Sequence, residues 1–228
     1  GLAGGADAVF KRIDYTDDTD ARVGYDLSLG GRSVNDSLSA GGVAGAATDR
    51  WRFNVLGAWD EGDNTRYGNG TIGGTAFERA VYGLSAGVKT DLGELSLDLR
   101  RQNTDPSGNP PVPMGIQYFN TDFARFSYAH ALGNVDVTAA VHYTDVAHLM
   151  DNFSQRPAPA AMAQRATFAD ATTRGGDITL GFDALGGALS VGIDTVSAEH
   201  DVTITNPNNA GFFVTPFPQV DMGRTGGF

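Results

Sequence analysis

Apolar and polar residues alternate almost without interruption along residues 134–145, NVDVTAAVHYTD. Successive side chains of a β-strand point to opposite faces, so the pattern predicts a strand with one apolar and one polar face. The apolar positions are Val135, Val137, Ala139, Val141 and Tyr143, and the polar positions are Asp136, Thr138, His142 and Thr144. The segment therefore predicts a long strand that separates two different environments.

The same period of two returns along most of the chain, and helical periodicity is almost absent. The segments that alternate clearly are residues 22–29, 51–60, 82–89, 94–100, 177–184 and 189–194, and those that alternate less cleanly are 34–42 and 121–131. Together they predict an all-β protein of roughly nine or ten antiparallel strands.

The connections between these strands fall into two classes. Short turns with the sequences TDLG, HALGN and ALGG contain the Gly and Asn that hairpins require. Long polar connections cover residues 61–77, 103–116, 146–175 and the chain from 203 onward. We expect short and long connections to alternate strictly from Trp59 to the end. Loops of a soluble sandwich are mostly 2 to 6 residues long, whereas an outer-membrane barrel has short periplasmic turns and long extracellular loops.

The polar faces and the aromatic residues also favour a transmembrane β-barrel. Polar positions mix Ser, Thr, Gly, Asp, Arg and His with few Lys, as in a wet barrel interior. Several aromatic residues stand near strand ends, where an interfacial girdle would lie; these are Tyr25, Trp51, Trp59, Tyr82, Tyr128 and Tyr143. We therefore predict that one face contacts outer-membrane lipid and that the protein is located in the bacterial outer membrane. Two alternatives remain: a passive porin-like channel, and a soluble secreted β-sandwich or solenoid that binds carbohydrate.

Composition excludes several other functions. The net charge of -11 leaves no basic surface for nucleic acid. Cys is absent, which excludes disulfides, thiolate metal sites and Cys nucleophiles. GxSxG, HExxH and P-loop motifs are also absent, and an outer-membrane protease built on Asp145, His148 and Asp151 would need a closed ten-stranded barrel. We therefore expect a protein that is not an enzyme and has no resident cofactor.

Residues 113–156, PMGIQYFNTDFARFSYAHALGNVDVTAAVHYTDVAHLMDNFSQR, carry a resemblance to a known family. The run resembles the barrel of TonB-dependent outer-membrane receptors, copper-receptor branch, above all in PMGIQYFNTD and HLMDNFSQR. The resemblance implies a 22-stranded barrel, an N-terminal plug, and import driven through the TonB energy-transducing complex. On this interpretation residues 1–228 are one partial barrel domain, the N-terminal part of the barrel, which lacks the plug and the remaining strands.

Met114 and Met150 are the candidate metal ligands. Met114 precedes one predicted strand and Met150 follows the next, and a short hairpin joins these strands, so their far ends should lie close together. Thioether sulfur selects Cu(I) over harder cations, and the resemblance implies that such methionines hold copper as the transported ligand. The other interpretation is that these methionines only fill space at the barrel mouth.

Histidines extend this candidate set. His148 stands beside Met150, and His142 and Asp145 could join it in a mixed site, or all three could be solvated polar side chains. Met162 and Met222 are expected in long loops, where they could contact a ligand transiently. His130 and His200 have no partner that the sequence identifies. The predicted metal site is therefore Met114, His148 and Met150.

Overall fold

The computed structural model describes residues 11–184, 187–216 and 218–228, and within them the protein is almost entirely β-structure. The strands are β1 Arg22–Arg32, β2 Ser37–Ala47, β3 Trp51–Gly62, β4 Arg66–Tyr67, β5 Gly70–Thr71, β6 Phe77–Thr90, β7 Gly93–Thr104, β8 Gly115–Leu132, β9 Val135–Asp151, β10 Ala166–Ala184, β11 Gly187–Asn206, β12 Asn209–Val214 and β13 Val220–Gly227. One 3-10 turn, Ala161–Ala163, lies within the connection between β9 and β10. Among the described residues there is no helix with the length and apolar character that a membrane-spanning helix requires.

Eleven of these strands form one antiparallel sheet in which sequential strands are neighbours. The order is β1-β2-β3-β6-β7-β8-β9-β10-β11-β12, and β13 also pairs with β11. Strands β12 and β13 run in the same direction along β11, so they are two segments of a single pass. The short β4-β5 hairpin lies within the connection between β3 and β6. The predicted all-β antiparallel architecture is confirmed.

The turns confirm the predicted hairpins at one end of the sheet. Gly93 and Gly133 have φ values of 112° and 66° in the turns that follow β6 and β8, a conformation that favours glycine. Two residues of the third predicted turn, ALGG, lie outside the described residues. These turns and the turn between β2 and β3 share one end of the sheet, because the strands form an antiparallel meander.

Three predictions about the connections between strands are wrong. Strand β9 continues to Asp151 and β10 begins at Ala166, so the loop between them covers only residues 152–165. The chain from residue 203 forms the end of β11 and then β12 and β13, rather than a long loop. The turn at 207–208 is short although it lies at the long-loop end, so the expected strict alternation of connections from Trp59 to the end does not hold.

The two faces of the sheet reverse the usual distribution of polarity. On one face Arg52, Asn54 and Ser85 are at most 2 % exposed. On the other face Phe53 and Val141 are 46 % and 58 % exposed. We call these the polar face and the apolar face. A soluble sandwich buries its apolar face against a second sheet, but in the described part of the chain the second sheet is only the β4-β5 hairpin.

The apolar band slants across the sheet. On β3 it ends at Trp59, since the next residue on that face is Glu61, and the register leads from Trp59 across the sheet to Asp201 on β11. On β11, however, the band ends at Ile193, before Thr195. The boundary therefore moves eight residues over six strand-to-strand steps. With a rise of about 3.3 Å per residue and about 4.8 Å between strands, this slant corresponds to a strand tilt of about 42°, within the range of β-barrels.

A segment before β1 lies on the polar face. We call residues 11–16 the N-terminal strap. The Ile13 N–H donates to Asn54 Oδ1 at 2.7 Å, and Asn54 Nδ2 donates to the Ile13 carbonyl at 3.1 Å. The Tyr15 ring lies against the cations of Arg52 and Lys89. The chain that leads into β1 is therefore fixed to the polar side of the wall.

Candidate metal site at the long-loop end

Three connections pack together at one end of the sheet: residues 63–76, 105–114 and 152–165. The backbone N–H of Gly108 donates to the Ala76 carbonyl at 2.8 Å, which joins the first connection to the second. Arg156 donates to the carbonyl of Val112 at 3.1 Å, which joins the third to the second. The loops therefore form a packed rim over the ends of β3, β6, β7, β8, β9 and β10.

Met150 and His148 lie on the polar face at the end of β9 beneath this rim. Both are even-numbered residues of β9, as are His142 and Ala140. Because side chains of a strand alternate between its faces, all four lie on the polar face. Met150 pairs in register with Thr167 of β10, and His148 pairs with Ala169. Met150 and His148 are two residues apart on one face of one strand, so their side chains are neighbours.

Met114 reaches the same place from the connection between β7 and β8. The Thr167 hydroxyl donates to Met114 Sδ at 3.7 Å. The adjacent Gly115 packs so closely on the Gln155 side chain that an added Cβ would lie 2.6 Å from it. Because Thr167 also pairs with Met150, the two methionines flank the same threonine. We call Met114, His148 and Met150 the mouth cluster; the sequence predicted that the two methionines lie close together.

His148 is held by its neighbours in a partly buried position. Its ring stacks on Phe119, with 5.3 Å between ring centroids. Burial lowers the pKa of His148, and the charge of His200 lowers it further. His148 lies five residues beyond Tyr143, where the apolar band of β9 ends, so it stands clear of the apolar band. A lowered pKa keeps the imidazole neutral, which is the form that binds a metal.

Asp145 does not join this cluster. It lies on the opposite face of β9 from His148 and accepts a hydrogen bond from the Thr172 hydroxyl at 2.9 Å. The positions differ by an odd number of residues, and such residues on a strand point to opposite sides. The mixed His142, Asp145 and His148 site is therefore wrong. Asp151, the third member of the protease alternative, accepts instead from the N–H groups of residues 153 and 154.

The remaining soft side chains fall into two groups. Met162 is exposed in the 3-10 turn, as expected for a loop position, and His130 lies on the apolar face beside Tyr128. Met222, expected in a loop, lies in β13 instead, and His200 lies in β11. No group of three or more His, Cys, Asp or Glu that could hold a metal occurs within the described ranges.

His200 is the neighbour of the mouth cluster that sequence reasoning missed. Its charge helps to lower the pKa of His148. The register places it on the polar face of β11, where it pairs with Ala171, two residues from the Ala169 that pairs with His148. The sequence carries no clear signal for this position, because the alternation reverses beyond Ile193: Thr195, Ser197 and Glu199 are polar at odd positions, and Val196 and Ala198 are apolar at even ones.

Comparison with known proteins supports the fold. No protein-family model matches the chain, and no curated protein matches it. Among solved structures, the copper transporter OprC matches with a TM-score of 0.78 at 18% sequence identity over 95% of this chain and 35% of that one. The chain thus spans about a third of that transporter's length. This level of identity is informative about the fold alone, and it shows that the chain has the fold of a β-barrel wall of the kind that transporter contains.

Proposed function

We propose that this chain is part of a bacterial outer-membrane receptor that imports copper with energy from a TonB complex. The observation that carries the proposal is the mouth cluster. Its two thioethers and one imidazole lie together on the polar face of the sheet, at the long-loop end. The fold that the chain shares with a copper transporter agrees with this function.

The location in a membrane is proposed because the apolar face of the sheet is exposed while polar side chains on the other face are buried. An apolar face with exposed Phe53 and Val141 is stable where hydrocarbon replaces water around it. The slanted band fits a barrel whose strands tilt by about 42° in the bilayer. The polar face then lines the lumen, and the rim of long loops faces the outside of the cell.

The choice of copper depends on ligand chemistry. Thioether sulfur binds soft Cu(I) and has little affinity for Mg²⁺ or Ca²⁺, which prefer oxygen. Neutral imidazole binds copper in both common oxidation states. Met114, His148 and Met150 therefore favour copper among the metals that cells import, and further ligands would come from chain in the lumen.

Energised import requires a movable plug inside the barrel, and the N-terminal strap supports this part of the proposal. Ile13 is attached to Asn54 on the polar face, so the chain approaches β1 along the lumen side. The same attachment would hold the end of a domain that occupies the lumen. TonB dependence also separates the proposal from a passive porin-like channel.

Anaerobic Cu(I) titration of the intact protein in detergent tests the proposal. We expect Met114→Ala with Met150→Ala to weaken binding roughly a hundredfold, about 2.7 kcal/mol. Met162→Ala is the matched control, because it removes an exposed loop thioether, and it should leave affinity unchanged. Unchanged affinity in the double variant would remove the methionines from the site. Copper uptake that persists in cells after the proton-motive force is collapsed would instead favour the passive channel.

A further inference from the structure

The polar face carries a second pair of soft side chains, on β11 and β13, the two strands that follow β10 in the sheet. His200 of β11 pairs in register with Val220 of β13, and Met222 pairs with Ala198. His200 and Met222 are thus diagonal neighbours on one face. Such neighbours are about 7 to 8 Å apart, within reach of long side chains.

Small residues separate this pair from the mouth cluster. On β10, Ala169 stands beside His148 and Ala171 stands beside His200. Ala169 is 5 % exposed. Because both β10 positions carry only a methyl group, no large side chain of β10 stands between His148 and His200 on the polar face.

The slant of the barrel sets both groups at nearly one height in the membrane frame. Strand pairing leads from His148 across Ala169 to Val202 on β11. His200 therefore lies two residues closer to the short-turn end than the position on β11 that is level with His148. Measured from the apolar band, His148 is five residues beyond Tyr143 and His200 is seven beyond Ile193. Relative to the apolar band, the pair therefore stands only about 5 Å farther out than the cluster, and it lies beside the cluster around the lumen wall.

We propose that His200 and Met222 form a second soft-cation site, which takes Cu(I) or Ag(I) through one imidazole nitrogen and one thioether sulfur. Two donors suffice, because soft d¹⁰ cations bind linearly or with few ligands in sulfur and imidazole sites. The inference rests on the proposed function, since it assumes that the polar face lines a metal path. A metal ion held at the mouth cluster would then have a neighbouring site of similar softness.

Ag(I) titration by calorimetry of the intact protein in detergent tests the second site. We expect two equivalents in the unsubstituted protein, and one in the variant that combines His200→Gln with Met222→Leu. The variant that combines Met114→Leu, His148→Gln and Met150→Leu should also bind one. His130→Gln with Met162→Leu is the matched control and should bind two. Each variant should keep the heat-modifiable gel mobility of a folded barrel.

X-ray absorption at the silver edge adds a readout of the ligands themselves. On the mouth-cluster variant we expect one sulfur and one nitrogen around the remaining Ag(I). Two equivalents with unchanged affinities in the His200→Gln and Met222→Leu variant would overturn the second site and leave the proposed function standing. A mouth-cluster variant that keeps both equivalents would overturn the proposed function, while the second site would still be judged by its own variant.

Discussion

Substituting Val141 by Arg puts the two-faced wall under a quantitative test. Val141 lies on the apolar face of β9, where the band runs from Val135 to Tyr143, and its side chain is 58 % exposed. It stands two residues from the centre of the band at Ala139, about 5 Å along the membrane normal for a strand tilted by about 42°. An arginine there would replace an apolar contact with hydrocarbon by a buried charge.

The expected cost of Val141→Arg is about 2–4 kcal/mol, the range for Arg on the lipid face near the midplane. This corresponds to a roughly 30- to 900-fold shift of the folding equilibrium. The matched control is Thr138→Arg on the polar face, where Thr138 lines a cavity of about 460 Å³ with Asp98 and Asp177. The cavity is also lined by Glu94 and by the cations Arg12, Arg52 and Arg125. The new cation therefore meets charges of both signs in a polar site, and we expect a change below about 0.5 kcal/mol.

Urea unfolding of the intact protein refolded into fluid lipid vesicles measures both changes. The gel mobility of the folded barrel reports the fraction folded at each urea concentration. If Thr138→Arg cost as much as Val141→Arg, or if Val141→Arg cost less than about 0.5 kcal/mol, the assignment of the two faces would be refuted.

Three further predictions concern the polar face. Gly45→Ala should destabilise the sheet and release the N-terminal strap, because the added Cβ would lie 2.4 Å from Asn54 Oδ1. Gly57→Ala is the control and should be tolerated, because its Cβ meets only a carbonyl at 4.0 Å. Limited proteolysis near the strap compares the two variants. Arg52→Ala removes hydrogen bonds to two serine hydroxyls and a glutamate and should cost about 2–3 kcal/mol in urea unfolding; a cost below about 0.5 kcal/mol would contradict this. Because burial lowers the pKa of His148, its contribution to stability should be present above about pH 6.5 and lost as the pH falls through the lowered pKa. Histidine NMR of the metal-free protein should give a midpoint below that of a free imidazole, and His148→Gln should flatten the pH dependence of unfolding.

Where the two environments differ, the sequence predicted the fold well. The strand around Val141 could be predicted because its two faces carry opposite residue types at alternating positions. Strand β13 could not, because Gly223, Gly226 and Gly227 have no side chain that could alternate. Its pairing with β11 therefore becomes visible only from the backbone register.

The candidate site was predicted to a similar extent. The proximity of Met114 and Met150 followed from the short hairpin between β8 and β9, which fixes the far ends of both strands. Asp145 was considered as one possible partner of His148 because of its spacing along the chain, but the two residues are three positions apart on a strand and therefore lie on opposite faces. His200 comes from a strand two places away, and such a contact depends on the register of the whole sheet, which one sequence does not specify.

Site-directed spin labelling along residues 135–143 tests the central claim most directly. The chain has no cysteine, so single labels can be placed at each position in the intact protein in lipid vesicles once any cysteine outside this chain has been replaced. We predict that accessibility to dissolved oxygen is high at the odd positions, where the label contacts hydrocarbon, and low at the even positions. A water-soluble nickel chelate should not reach the odd positions. Odd positions that are open to the nickel chelate, or an accessibility that does not alternate, would contradict the claim that this wall separates lipid from a polar lumen.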